Sequence, residues 1–351
     1  MTKVVLGKVY RKILHNIYTM KLVSILSFLS VFGVTLGARL GERFNAWLDE
    51  YNVQVGDDDY LSMLDKWASN DKFIEEVNAK NLSHVLGHNQ FSAMDRDDYS
   101  LFLGYAPKLK GPKRLSAVRR VDAVTADSIN WVEKGAVTPV KDQGQCGSCW
   151  SFSTTGALEG AYFVKNGKLV SFSEQQLVDC DNLRGGGRDQ GCNGGLMDNA
   201  FTWIGKNGGL CLESDYTYFS GDTQDEGTCQ KTCSVYPGSD VLRFVDVPVS
   251  DDAQMMAAIS QQPVAIAIEA DQREFQLYKS GVFTGTCGTT LDHGVLVVGY
   301  GTENGEDYYL VKNSWGSSWG SNGYIKLGKG KKFNNGDGQC GMLLSASYPI
   351  V

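Results

Sequence analysis

The stretch DQGQCGSCWSFS, residues 142–153, contains a Cys-Gly-Ser-Cys motif followed directly by a tryptophan. The run from Cys149 to Lys165 predicts a helix, because Asn166 and Gly167 follow it as a pair typical of helix C-termini. The motif therefore places Cys149 where a loop becomes a helix.

All nine cysteines lie between Cys146 and Cys340, and the part of the chain before Cys146 has none. This asymmetry predicts a cysteine-free segment followed by a disulfide-linked domain. Because nine is odd, full pairing leaves one thiol over, and an unpaired thiol in a secreted protein is a candidate reactive group. The alternative is an inert buried cysteine, which is common in cytosolic proteins.

An apolar run from Leu22 to Leu36 follows a basic stretch at the N-terminus. This pattern is typical of a secretory signal, and the run is shorter than the ~20 residues that a membrane-spanning helix needs. Translation from Met20 would produce an ordinary signal; the alternatives are a tolerated front extension and an uncleaved membrane anchor. We therefore assign residues 1–38 to a signal peptide with an N-terminal extension, and we expect a lysosomal, vacuolar or extracellular protein.

The segment 40–105 is polar, with aromatic residues such as Phe44 and Trp47 at helical spacing, which predicts a small helical unit. The basic segment from Lys108 to Arg120 contains glycine and proline and is expected to be an exposed linker, where proteases cut.

The character of the chain changes after Val124, where glycine and tryptophan become frequent. A helical half followed by a β-rich half predicts an α+β protein whose halves face each other across a cleft. The net charge of −7 argues against a nucleic-acid-binding protein, which would show a basic patch. Four segments predict strands: Pro263–Glu269, Gly294–Tyr300, Asp307–Lys312 and Tyr324–Leu327.

The cysteine-rich part of the chain contains one histidine, His293. A histidine has a pKa near working pH, and a cysteine needs such a base because only the thiolate attacks. The alternative is a structural histidine at the start of a strand. The scarcity of histidine and the single Cys-x-x-Cys unit argue against a zinc site, so we expect neither a metal nor a cofactor.

The spacing of Cys146 and Cys149 is also that of a thiol–disulfide oxidoreductase of the thioredoxin type. In this sequence the tryptophan follows the motif, seven further cysteines are present, and no βαβ pattern precedes it. The oxidoreductase is kept as the alternative function.

Three blocks resemble the papain family of cysteine peptidases, and its cathepsin L-like branch in particular. They are DQGQCGSCWSFS, LDHGVLVVGYG around His293 and VKNSWGSSWG around Asn313. The papain-type signature C-G-[SA]-C-[WY] places the histidine and the asparagine ~130–150 residues downstream; His293 lies in that range and Asn313 slightly beyond it. The resemblance implies a papain-like two-lobed fold, with a helical lobe around a long central helix, a β-barrel-like lobe, a cleft between them, and a small helical prodomain in front.

The resemblance also implies catalytic roles. Cys149, at a helix N-terminus, would be the nucleophile, paired as thiolate with protonated His293. Asn313 would orient the imidazole, and Trp315 would shield that bond from water or serve only as core packing. Gln143 and the Cys149 backbone N–H would form the oxyanion hole. Because these residues are intact, a catalytically inactive homologue is the less favoured alternative.

Substrate contacts are implied in the same way. Gly194 and Gly195 would pair with the substrate backbone, since a side chain would block close approach. Asp292 would contact substrate or only solvent, and Trp319 would line the leaving-group side. The pocket for the P2 residue, the second before the cut, is expected to prefer Leu, Phe or Val over Arg. Its walls and base would be Leu196, Met197, Ala267, Leu291 and Ser345.

Four disulfides are implied, with Cys149 left over; the alternative is that Cys211 and its partner remain free thiols. The implied pairs are Cys146–Cys192, Cys287–Cys340, Cys180 with Cys229 or Cys233, and Cys211 with the other of those two.

Residues 39–124 resemble an inhibitory propeptide, and 125–351 the peptidase domain, with the mature chain starting near Thr125. Met63 and Ala93 stand where the family has an arginine and an acid, so the usual salt-bridge support is missing. Asn81 begins an Asn-Leu-Ser sequon, a candidate glycosylation site. The two propeptide motifs are represented by Asp59, Met63, Trp67, Asn70, Ile74 and Asn78, and by Gly87, Asn89, Phe91 and Ala93.

The resemblance implies a cysteine endopeptidase made as a zymogen, which hydrolyses peptide bonds through an acyl-enzyme. The cleft is expected to be open at both ends, because the chain lacks a paired-histidine insertion of the cathepsin B kind. The expected partners are protein and peptide substrates, the chain's own propeptide and inhibitors of the cystatin type, with no nucleic acid, and the expected state is a monomer.

Overall fold

The computed structural model describes residues 39–109, 116–118 and 126–351. These residues form two compact units, which divide between Ser69 and Asn70. The predicted signal sequence, the mature N-terminus near Thr125 and most of the predicted linker lie outside the described residues. Among the described residues, no helix has both the length and the apolar character needed to span a bilayer.

The first unit contains helix α1, residues 39–50, and the start of helix α2, Tyr60–Asn78. Phe44 of α1 and Trp67 of α2 are buried, and their rings meet edge to face at 5.8 Å. The aromatic residues that recur at helical spacing are therefore the residues that hold these helices together.

The second unit begins within α2 and contains the remaining helices and all the described strands. The long helix α4 has 14 buried residues and forms the centre of the helical lobe. It ends at Gly167, which adopts the left-handed conformation with φ of 67°. The helices are α3 Arg96–Ser100, α4 Cys149–Asn166, α5 Glu174–Cys180, α6 Met197–Asn207, α7 Ser220–Thr223, α8 Asp252–Ile259 and α9 Arg273–Gln276.

The β-lobe is built around a long central strand, β7, which is buried along most of its length. The four predicted strands correspond to β5, β7, β8 and β9. In the described chain the strand order is β1-β6-β9-β8-β7-β5-β10-β4-β2, with β3 also pairing with β7. The strands are β1 His84–Leu86, β2 Ser116–Val118, β3 Ile129–Asn130, β4 Arg243–Asp246, β5 Val264–Ile268, β6 Tyr278–Phe283, β7 His293–Glu303, β8 Glu306–Lys312, β9 Tyr324–Gly328 and β10 Ala346–Ile350.

One segment differs from the expectation of an exposed linker. Strand β2, Ser116–Val118, lies within it and pairs in parallel with β4. The basic and glycine-containing composition predicted a loop, but backbone pairing with a sheet edge requires only an extended segment. The sequence therefore does not reveal this strand.

The described residues contain four disulfides. Of the two partners left open for Cys180, the structure selects Cys229, and Cys233 is bonded to Cys211. Cys149 is a buried free thiol. The four bonds are Cys146–Cys192, Cys180–Cys229, Cys211–Cys233 and Cys287–Cys340.

Two glycines one turn apart in α4 allow close packing on the β-lobe and predict unequal costs of substitution. A Cβ at Gly160 would lie 2.5 Å from the ring of Pro263, which cannot move aside, whereas a Cβ at Gly156 would lie 2.8 Å from a terminal methyl of Leu296, which can. We expect Gly160→Ala to destabilise the proenzyme by about 1–3 kcal/mol. The gain of ~1 kcal/mol in helix propensity should leave Gly156→Ala near neutral. Thermal unfolding at neutral pH measures the stability of both variants, and an equal loss of stability in the two would contradict this account.

Candidate active site

Cys149 is the first residue of α4 and is fully buried. Its sulfur accepts a hydrogen bond of 3.2 Å from the backbone N–H of Gly294. Gly294 follows His293, which is the first residue of β7. The start of the central helix thus meets the start of the central strand, and the two residues with nucleophile and base chemistry come from different lobes.

The imidazole of His293 is held by two neighbours. Its Nε2 lies 2.8 Å from Oδ1 of Asn313, and its ring stacks on Trp315 with centroids 4.4 Å apart. The backbone N–H of Ser314 donates to the same Oδ1. Since that oxygen can only accept, Nε2 must carry the proton. Nδ1 has no hydrogen-bond partner among the described residues, so its lone pair is available for a proton.

Gln143 is fixed with its amide in a defined orientation. Its Oε1 accepts from the hydroxyl of Ser314 at 2.7 Å, which leaves Nε2 as the donor end. Nε2 donates to the carbonyl oxygens of Cys146, at 2.8 Å, and Phe102, at 2.9 Å. The Phe102 carbonyl oxygen therefore lies where an oxyanion would accept a hydrogen bond from Gln143 Nε2.

Residues 102–106, which we call the cleft segment, lie across this site. The N–H of Gly195 donates to the carbonyl of Gly104 at 2.9 Å, and the N–H of Ala106 donates back to Gly195 at 3.1 Å. On the other side, the N–H of Tyr105 donates to the carbonyl of Asp292 at 2.9 Å. The segment is thus bonded to both walls.

Gly104 makes the closest approach of the cleft segment. A Cβ at this position would lie 1.8 Å from the carbonyl oxygen of Gly147, a distance that no side chain tolerates. The absence of a side chain brings the backbone N–H of Gly104 to the sulfur of Cys149, where its hydrogen bond favours the thiolate.

Burial under the cleft segment controls the charges of the two reactive groups. It raises the pKa of the Cys149 thiol to about 12 and lowers the pKa of His293 to about 4. Burial also raises the pKa of the neighbouring Asp292 to about 7. Between these values thiol and imidazole are both neutral, so the covered site lacks the thiolate that would attack a substrate.

The remaining predicted site residues surround the same groove. Tyr105 of the cleft segment places its hydroxyl 2.8 Å from Oγ of Ser345. Trp319 is fully buried, meets Trp315 edge to face at 5.1 Å, and donates from Nε1 to the carbonyl of Gln276. The remaining wall residues are mostly buried: Leu196, Met197 and Ala267 fully and Leu291 partly.

Sequence reasoning missed three participants. Ser314 orients Gln143, and only its place directly after Asn313 could have drawn attention to it. The roles of Phe102 and Gly104 had no signal, because a backbone carbonyl and a missing side chain leave no pattern in a single sequence.

Comparisons with known proteins identify the family. The family model described as "Papain family cysteine protease" matches residues 125–350, and the "Cathepsin propeptide inhibitor domain (I29)" matches residues 44–99. The chain belongs to the papain family of cysteine proteases. It is a cysteine-type peptidase that carries an inhibitory propeptide domain, as the resemblance implied.

Plant proteases are among the curated relatives. The chain is 45% identical over 316 residues to "Probable cysteine protease RD21B" of Arabidopsis thaliana, and the match covers 88% of this chain and 66% of that protein. It is 40% identical to "Senescence-specific cysteine protease SAG39" of Oryza sativa subsp. japonica, with 90% of this chain and 91% of that one covered.

Solved structures of precursors share the fold. "Recombinant stem bromelain precursor" is 35% identical, with a TM-score of 0.79, and the match covers 89% of this chain and 99% of that one. Digestive procathepsin L 3 of Tenebrio molitor larval midgut is also 35% identical, with a TM-score of 0.76 and coverage of 89% and 99%. The predicted α+β papain-like fold with a helical prodomain is confirmed. The oxidoreductase alternative is not favoured, since Cys146 is bonded to Cys192 rather than to Cys149.

In the prosegment, by which we mean the residues before the peptidase domain, three asparagines of the family motifs form hydrogen bonds with backbone groups. Asn70 donates to the carbonyl of Ser92, and Asn78 both donates to and accepts from the backbone of Leu86. Asn89 donates to the carbonyl of Gln276 at 2.8 Å. Neutral amides of this kind hold the fold without sensing pH.

His84, on strand β1, is the titratable residue at the contact of β1 with β6. It is buried against the ring of Phe283, its Nδ1 accepts from the N–H of Thr284, and its Nε2 lies 3.6 Å from Glu274 of α9. Burial lowers the pKa of His84, and the negative charge of Glu274 opposes that shift only in part. A protonated His84 is therefore disfavoured in the docked prosegment.

The close approach at Gly104 predicts that a methyl group there loosens the covered state. Gly104→Ala should weaken docking by about 1–3 kcal/mol, as overpacking does. Peptidase activity of the proenzyme at neutral pH should rise, and the lag before activation in acid should shorten several-fold. Gly56→Ala is the control, because a Cβ there meets only Asp59 at 3.9 Å. An unchanged lag for Gly104→Ala would contradict this account.

The depressed pKa of His84 predicts acid-triggered loosening. The docked state binds fewer protons than the released state. The contribution of neutral His84 to the free energy of docking is therefore full above the pKa of the released side chain, ~6.5, and is lost as the pH falls. His84→Gln should therefore flatten the pH dependence of activation below about pH 6.5. Glu274→Gln should steepen it, because the protonated imidazole loses its counter-charge. Activation time courses at several pH values test both variants beside the wild type. If the activation rate changes equally with pH in all three proteins, His84 does not control release.

Proposed function

We propose that the chain is the precursor of a cysteine endopeptidase, with residues 1–38 as signal and extension, 39–124 as inhibitory propeptide and 125–351 as the peptidase. The observation that carries this is the meeting of the α4 and β7 N-termini. It places the Cys149 sulfur on the amide of Gly294, the residue after His293, and Asn313 holds the His293 imidazole through Nε2.

The reaction follows from these groups once the prosegment leaves. The Cys149 proton passes to Nδ1 of His293, and the thiolate forms a bond to the substrate carbonyl carbon. The carbonyl oxygen becomes an oxyanion that accepts from Gln143 Nε2 and the Cys149 N–H. As the C–N bond breaks, the imidazolium protonates the leaving amine and an acyl-enzyme remains. Water, deprotonated by the same imidazole, then releases the acid and the thiol.

Two features support the roles of the neighbours. The bond from Nε2 to Asn313 holds the imidazole in the tautomer that leaves Nδ1 free to accept. Trp315 covers that bond with a ring stacked at 4.4 Å and keeps water away from it. Asn313 and Trp315 are accordingly positioning residues.

Substrate binding is proposed from the way the cleft segment is held. Gly194 and Gly195 would bind a substrate backbone as Gly195 binds Gly104 and Ala106. Asp292 would contribute its carbonyl on the opposite wall, and Trp319 would support the leaving-group side through Trp315. The apolar walls favour hydrophobic P2 residues over Arg: Leu196, Met197, Ala267 and Leu291, with Ser345 at the base.

We place the enzyme in the lysosome or vacuole, or outside the cell. Disulfides persist in oxidising compartments, and four are present in the described chain. Asn81 is exposed, which suits the proposed glycosylation. Protein and peptide substrates, the propeptide and cystatin-type inhibitors are the proposed partners of a monomeric enzyme.

The test of the nucleophile is Cys149→Ala. We expect loss of peptide hydrolysis by more than ~1,000-fold, because the other groups act only through the thiolate, with an unchanged unfolding temperature. Asn166→Ala, at the opposite end of α4, is the matched control and should retain activity. An active-site-directed epoxide should label Cys149 alone in the activated protein. Turnover of even a few per cent in Cys149→Ala, with contamination excluded, would rule out the assignment.

A further inference from the structure

The phenol of Tyr218 joins the loop that carries Gln143 to the residue that precedes Cys149. Its hydroxyl lies 2.7 Å from the backbone carbonyl oxygen of Gln143 and 2.8 Å from Oγ of Ser148. The carbonyl oxygen can only accept, so the phenol donates its proton to Gln143 and accepts from the Ser148 hydroxyl. Burial raises the pKa of Tyr218, so the phenol keeps the proton that it donates.

The side chain of Ser148 is committed to this bond. Ser148 is fully buried and stands at the N-cap position of α4, directly before Cys149. A serine at this position usually accepts from a backbone N–H of the first helical turn, but the Ser148 side chain makes no such bond. The carbonyl oxygen of Cys146 lies 3.5 Å from its Oγ, at the limit of hydrogen-bond length. Tyr218 is therefore the close partner of this hydroxyl.

The loop of residues 216–224 also holds the backbone around Gln143. On one side the Gln143 carbonyl accepts from Tyr218, and on the other its N–H donates to the Ser314 carbonyl at 2.8 Å. A Cβ at Gly144 would lie 2.6 Å from the backbone of Gly221, so the two loops are in direct backbone contact. The position of Gln143 thus depends on the loop that carries Tyr218.

Tyr218 itself is fixed by its surroundings. Its N–H donates to Oε1 of Glu213 at 2.9 Å, and the N–H of the next residue, Phe219, donates to Oε1 of Gln175 in α5 at 2.9 Å. Its ring meets that of Phe152 in α4 edge to face, with centroids 4.9 Å apart. A phenol with an anchored backbone and a packed ring holds its hydroxyl in one place.

We propose that Tyr218 is a positioning residue that fixes the two oxyanion donors, Gln143 Nε2 and the Cys149 N–H, relative to each other. It bonds the backbone of one donor residue and the residue directly before the other. This rests on the proposed function, in which these two donors stabilise the oxyanion. The oxyanion forms only after the thiolate attacks, so Tyr218 contributes to the transition state and not to thiolate formation or substrate binding.

The test is Tyr218→Phe in the activated enzyme. Displacement of a donor should lower kcat roughly 10-fold and leave KM within about 2-fold of wild type. Alkylation by iodoacetamide needs the thiolate but forms no oxyanion, so its rate and pH dependence should stay unchanged. In a peptide aldehyde, the carbonyl oxygen takes the place of the oxyanion once the sulfur has bonded to the carbon. Such an aldehyde should bind roughly 10-fold more weakly.

Tyr216→Phe is the matched control, because its hydroxyl donates to Asp179 at 2.6 Å rather than to Gln143 or Ser148. This variant also loses a short hydrogen bond of the same loop and should unfold at a lower temperature, yet kcat and aldehyde affinity should match wild type. Ser148→Ala removes the other end of the connection and should repeat the loss of kcat. It should add little to Tyr218→Phe, because both changes break one connection.

The outcomes separate this proposal from the proposed function. An equal loss of kcat in Tyr216→Phe would overturn it, and so would an equal fall in the alkylation rate or additive losses in the double variant. If Tyr218→Phe does not fold, Ser148→Ala decides: a lowered kcat with unchanged alkylation supports the proposal, and an unchanged kcat overturns it. Failure of the wild-type enzyme to cleave peptides would instead count against the proposed function.

Discussion

The hydrogen bond from the Gly294 amide to the Cys149 sulfur joins the first turn of α4 to the first residues of β7. It forms only because the two backbones approach closely: a Cβ at Gly294 would lie 3.3 Å from the backbone of Trp150. Every other feature of the site depends on this approach. It brings the thiol to the residue that directly follows His293, although the two elements come from different lobes.

Buried charges below the site reinforce the joint between the lobes. Lys141 bonds Glu159 at 3.0 Å and Glu174 at 2.6 Å. The Thr138 hydroxyl donates to Glu159 and accepts from Lys312 of β8, which links that lysine to the same group. Breaking such a group by removing one partner leaves an uncompensated buried charge. Because Lys312 immediately precedes Asn313, the same cluster that joins the lobes also holds the asparagine that orients His293.

The cleft segment both buries Cys149 and suppresses its reactivity. The cleft segment occupies the oxyanion donor with the Phe102 carbonyl and excludes water from Cys149, so thiol and imidazole both stay neutral. Inhibition therefore needs no distortion of the catalytic groups, and release of the segment restores solvent to a site already assembled.

Elsewhere, burial raises the pKa values of the paired carboxyl groups of Asp181 and Asp189. Their stability contribution is full in acid and declines as pH rises, which favours the peptidase fold under the same acidic conditions that loosen the prosegment.

The sequence alone determined the fold class, the family, the central helix with its glycine stop and the main strands, and it predicted Cys149 and His293 as the reactive pair. These features depend on local periodicity, on cap chemistry and on three blocks whose residue types chemistry requires. Tertiary structure alone decided that Cys180 bonds Cys229, that part of the linker joins β4, and that a prosegment carbonyl meets the Gln143 amide while a prosegment glycine meets the thiol. Pairing, backbone contact and burial are relations between distant residues, and such relations leave no local pattern. The charges of Cys149 and His293 were undecidable for the same reason, because they depend on what covers the side chains rather than on what precedes them in the chain.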